Sequence, residues 1–87
     1  MLDNVSPAPQ AAPADGGEQW EAKVKNVLKA ELKRRGIGYK ELAERLSAIG
    51  VPENEPNIRN KLARGRFTAV FMVQVMAAIG AKNILLD

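Results

Sequence analysis

Four glycines, at positions 36, 50, 65 and 80, each close a stretch in which apolar residues return every three or four positions. That spacing lays an apolar stripe along one side of a helix, and glycine ends helices more readily than any other residue. A chain punctuated in this way folds as a set of short helices, and it shows no strand-like alternation and no internal repeat. The first predicted helix runs from Glu18 to Arg35, with Trp20, Val24, Val27, Leu28 and Leu32 facing inward. The second begins after Gly38 as N-cap, with Glu41 three residues later and Ile37 placed to staple onto Leu42. It turns Leu42, Ala43, Leu46 and Ile49 to the core. Asn54 caps the third, which tolerates Pro56 in its first turn and ends at Arg64. Thr68 caps the fourth, which ends at Ile79 and buries Phe71, Met72, Val75, Met76 and Ile79.

With 87 residues the chain has room for one small domain. Residues 1–17 are rich in Ala and Pro, close on Gly16-Gly17 and offer little to bury, so they are expected to be a disordered tail. The domain is expected to be residues 18–87. There is no Cys and no His. Disulfides, thiolate metal sites and the commonest acid–base side chain are therefore ruled out. Neither Ser6 in the tail nor Ser47 has a base to activate it, and no phosphate-cradling Gly-rich loop is present. No enzymatic activity, cofactor or metal is expected. No apolar run approaches the length needed to cross a membrane, and the N-terminus lacks the layout of a secretion signal. A cytoplasmic protein with no membrane partner is the expectation.

Charge is distributed unevenly. Residues 1–19 hold Asp3, Asp15 and Glu18 with no Lys or Arg, so removing that −3 from the overall +3 leaves +6 on residues 20–87. Between Pro56 and Leu86 the bases Arg59, Lys61, Arg64, Arg66 and Lys82 occur without a single acid. A basic field on a small domain favours polyanions. Its centre is Asn57-Ile58-Arg59-Asn60-Lys61-Leu62-Ala63-Arg64-Gly65-Arg66. If Ile58 and Leu62 anchor this helix, Asn and Arg are left outside, where Arg can bridge guanine O6 and N7 and Asn can bridge adenine N6 and N7. Lys25, Lys29 and Lys33 form a further row on the first helix, read either as phosphate contacts or as a solvated face.

The fourth helix is unusual in that Val70, Val73 and Ala77 make its second side apolar as well. Such a helix is normally covered all round. Either the C-terminal Ile84-Leu85-Leu86 or a second copy of the chain does so. Val70, Val73, Ala77, Ile84, Leu85 and Leu86 are therefore the candidate contact of a homodimer.

The order of these segments resembles the bacterial helix-turn-helix domains of the phage-repressor, or xenobiotic-response-element-like, type. The likeness is closest from Gly36 to Leu46, with Leu42-Ala43 at the family's Leu-Ala position, and continues through Arg64-Gly65 and Phe71 to Gly80. More narrowly, the chain resembles a bacterial family described only as a domain of unknown function. The resemblance implies an all-α, compact four- to five-helix bundle containing a helix-turn-helix, here with its turn lengthened by Ser47 to Glu55. It implies double-stranded DNA as partner and transcription regulation as role, with the third helix in the major groove. Asn57, Arg59 and Asn60 would then read bases, while Tyr39, Lys40, Lys61, Arg64 and Arg66 would meet phosphate. Tyr39 can instead cover the Gly36–Gly38 corner, and Arg64 can complement the helix dipole. The alternative role is an interaction module or neutralising partner that binds other proteins through residues 68–79 and the tail.

Overall fold

The computed structural model describes residues 13–86, with side chains from residue 17 onward. It contains four helices: α1 (Pro13–Arg35), α2 (Tyr39–Ala48), α3 (Glu55–Arg64) and α4 (Ala69–Ile79). Among the described residues there is no strand, and the fold is all-α.

Local chemistry explains most of the boundaries. The α1 helix closes where the Ile37 N–H donates back to the Leu32 carbonyl at 2.9 Å. Ile37 and Leu42, on either side of the α2 N-cap, are both buried, as a hydrophobic staple requires. Gly38 has no side chain to cap with, and Glu41 pairs with Arg45 at 2.9 Å rather than reaching back. At α3 the Asn57 N–H donates to Asn54 Oδ1 at 3.0 Å, and at α4 the Phe71 N–H donates to Thr68 Oγ1 at 3.0 Å. Such caps each contribute about 1 kcal/mol.

The core is assembled from all four helices: Leu28 and Leu32 of α1, Leu42 and Leu46 of α2, Ile58 and Leu62 of α3, and Phe71, Val75 and Ile79 of α4, with Ile37 at the first corner. Full burial of each such side chain is worth about 1.5–3 kcal/mol. The α2 helix packs on both α3 and α4, and α1 packs on α3. At the α1–α3 crossing the backbones nearly touch. Gly65, buried and left-handed at φ 67°, lies so close to Glu21 that a Cβ there would sit 2.2 Å from the Glu21 carbonyl oxygen.

Three expectations about the core are corrected. The α1 helix starts at Pro13, five residues inside the expected tail; proline is pre-set for a first helical turn. The rest of that tail, residues 1–12, lies outside the described residues. Trp20 is 67% exposed. A 23-residue helix is about 35 Å long, whereas ten-residue α2 and α3 reach about 15 Å, so the turns of α1 before Glu21, which meets the end of α3 at Gly65, outrun their neighbours. Ile49 is also exposed, because the chain leaves helical geometry there and Val51 packs on the core in its place.

From Ala81 to Leu86 the chain has no regular structure. Ile84 packs against the core, while Leu85 and Leu86 are exposed. Val70 and Val73 remain 65% and 64% exposed, so the tail does not cover the second side of α4.

Candidate nucleic-acid interface

Ile58 and Leu62 are completely buried, which fixes how α3 is rotated. Asn57, Asn60 and Arg64, spaced three and four apart, consequently form one exposed ridge on its outer side. No side chain of the three has a hydrogen-bond or ionic partner among the described residues. The connection of residues 49–54 leaves this ridge open.

The other cations of the segment are already engaged. Arg59, about 100° around the helix from Asn60, donates from Nη2 to Glu55 Oε2 at 2.6 Å and lies over the Tyr39 ring at 5.7 Å. Lys61 is clamped between Glu53, at 2.5 Å, and the face of Phe71, at 4.4 Å. Arg66 reaches across to Glu21 of α1 at 2.6 Å. The segment is free of acids in sequence, yet three glutamates from outside it supply counter-charge in space.

These pairs differ in how easily they open. The Arg59–Glu55 and Arg66–Glu21 pairs are exposed on the arginine side, and such surface pairs are worth only about 0.2–1 kcal/mol. A phosphate can displace Glu21 from Arg66, while a base edge can use the remaining N–H donors of Arg59 beside Glu55. The Glu53 side chain is only 8% exposed, so removing its partner strands a nearly buried carboxylate. Lys61, expected to meet phosphate, thus has a structural role as the counter-charge of Glu53. Tyr39, expected at the phosphate backbone, is half-buried against the core and serves Arg59 as a platform.

Lys40 is exposed on α2 at the rim of a shallow groove of about 480 Å³ whose walls include Glu44, Glu53 and Glu55. That surface is mixed in sign rather than basic. On α1, Glu31 is 3% exposed beneath the guanidinium groups of Arg34 and Arg35, both of which donate to it. The Arg34 hydrogen bond, aided by the positive charge of both arginines, holds its carboxyl below the usual carboxylate range.

Sequence reading missed the three glutamate partners. Glu55, four residues before Arg59, has the spacing of a helical ion pair and was legible. The Glu21–Arg66 contact, 45 residues apart, had no local signal. Among the described residues no cluster of acidic side chains could hold a metal ion, and no helix is long and apolar enough to cross a membrane.

No curated protein and no solved structure in the comparison matches the chain. One family model does, spanning residues 20–84 and so most of α1 with all of α2 to α4. The chain belongs to that family, described as "Domain of unknown function (DUF6471)".

Proposed function

We propose that this domain binds double-stranded DNA in the cytoplasm as a transcription regulator, with α2 and α3 acting as a helix-turn-helix and α3 entering the major groove. The observation that carries this reading is the unpartnered ridge of Asn57, Asn60 and Arg64, held outward by the burial of Ile58 and Leu62. Two amides and a guanidinium with no internal use suit base edges and phosphate. Arg59 joins them through its remaining N–H donors, and Arg66 at little cost because its present ion pair is weak. Val70, Val73 and Ala77 offer an uncharged contact for a second copy, which would pair two half-sites.

Selection of bound duplexes from a random pool, followed by a salt series, tests the proposal. A consensus with two-fold symmetry is expected. Each phosphate contact contributes about −0.9 to the log–log salt slope, so the two to four cations available predict a slope of about −2 to −4. Failure to retain any duplex at low salt would rule the reading out.

A second reading, a protein-interaction module, draws support from the exposure of Val70 and Val73 on a helix without a single charge. A domain used in this way would bind duplexes weakly at every salt concentration.

A further inference from the structure

We infer that Arg59 reads a guanine in the major groove, and that Tyr39 and Glu55 are the positioning residues that pre-set its guanidinium for it. This rests on the DNA-binding reading above. Arginine has many rotamers, and freezing one on docking ordinarily costs much of what its contacts gain. Arg59 is already restrained from two directions. Glu55, the first residue of α3, takes a hydrogen from Nη2 at 2.6 Å, while Tyr39, the first residue of α2, lies under the guanidinium carbon at 5.7 Å. Both restraints come from helix N-termini, and the Glu55 pair draws the guanidinium towards the N-terminal end of α3. That is the end from which a recognition helix contacts bases.

The same arrangement favours a base over a phosphate. A carboxylate at 2.6 Å offsets most of the arginine's charge at longer range and repels a phosphate brought near it. A guanine edge is neutral and presents two acceptors, O6 and N7, which suits a guanidinium with most of its five N–H donors unspent. Arg64, exposed and without a partner among the described residues, has the opposite character and suits phosphate.

The test uses the full chain and the duplex recovered by selection, with guanine, adenine or 7-deazaguanine at each preferred guanine in turn. Wild type should lose about 5- to 150-fold in affinity when the contacted guanine becomes adenine. It should also weaken on 7-deazaguanine, which lacks the N7 acceptor. Arg59→Ala should abolish that preference and leave the salt slope unchanged. Tyr39→Leu and Glu55→Gln should each lower the guanine preference by about two- to fivefold, the first without changing the slope and the second steepening it, because Arg59 then lacks its counter-charge. Tyr39→Phe, which keeps the ring face, should behave as wild type. Helical content by circular dichroism confirms that each variant is folded. The inference is overturned if the Leu and Gln variants keep full guanine preference, if Arg59→Ala weakens all sequences alike and flattens the slope, or if Tyr39→Phe is as defective as Tyr39→Leu. Absence of duplex binding by the wild type would instead overturn the DNA-binding reading itself.

Discussion

Replacing Gly65 with Ala should be among the most damaging single-methyl additions available to this domain. Two costs combine. An L-residue at φ 67° takes on left-handed strain of about 1–2 kcal/mol. The new Cβ would also lie 2.2 Å from the Glu21 carbonyl oxygen and 2.8 Å from its carbonyl carbon. Backbone cannot rotate away as a side chain can, so α1 and α3 must part by about 1 Å to restore contact distance. Overpacking of this kind costs about 1–3 kcal/mol. The sum, about 2–5 kcal/mol, is a large share of the 5–15 kcal/mol typical of folded domains. Gly80 supplies the control, because it too is left-handed, at φ 76°, yet nothing lies within 4 Å of its Cβ position. Gly80→Ala should therefore show the strain alone. In urea unfolding followed by far-UV circular dichroism, a slope of about 1 kcal/mol per M predicts a midpoint drop of about 1–2 M for Gly80→Ala and at least about 2 M for Gly65→Ala. Equal midpoints for the two variants would refute the claim that α1 and α3 touch through this glycine.

Arg64→Ala should reduce the salt slope of DNA binding by about one while leaving the urea midpoint in place; an unchanged slope would remove Arg64 from the phosphate contacts. Lys61→Ala should show the reverse, losing about 1–2 kcal/mol of stability because Glu53 is left nearly buried and unpaired. Val73→Asp, on an open surface, should shift stability by no more than about 0.5 kcal/mol yet abolish self-association in sedimentation velocity. A wild type that stays monomeric at high concentration would remove α4 as a dimer surface. For Glu31, a carboxyl lowered in the folded state adds stability that is present above its ordinary value of 4.5 and lost as pH falls through the lower folded value. Wild type should therefore lose more stability between pH 7 and pH 2 than Glu31→Gln, as read from urea midpoints at both pH values.

Where the signal was local, residue types announced the structure. Asn54, Pro56, Thr68 and the glycines at 36, 65 and 80 act within a few bonds of themselves, and the helix ends fall where their chemistry puts them. Ile58 and Leu62 were readable as anchors because helical spacing alone relates them. Trp20 was misread for a reason that periodicity cannot encode: its stripe continues along α1 after the neighbouring helices have ended. Ile49 kept the spacing but fell just past the last helical residue. The charge on the candidate interface was the least legible feature. Glu21 and Glu53 meet Arg66 and Lys61 only once the chain is folded, so a run that is wholly basic in sequence becomes largely paired on the surface.

The clamp on Lys61 also decides which part of the chain can change in length. A connection as long as residues 49–54 would ordinarily let the two helices it joins swing independently. Here Glu53 is fastened to a lysine nearly two turns into α3, so the end of the connection travels with that helix as one rigid piece. In the run before it Val51 is itself held, by its packing on the core and by its N–H on the Leu46 carbonyl at 2.9 Å, which leaves Gly50 and Pro52 as the exposed positions. Because Ile58 and Leu62 hold α3 in the core, an insertion beside Gly50 or Pro52 should leave the outward ridge in place, whereas an insertion between Glu53 and Lys61 would dismantle it.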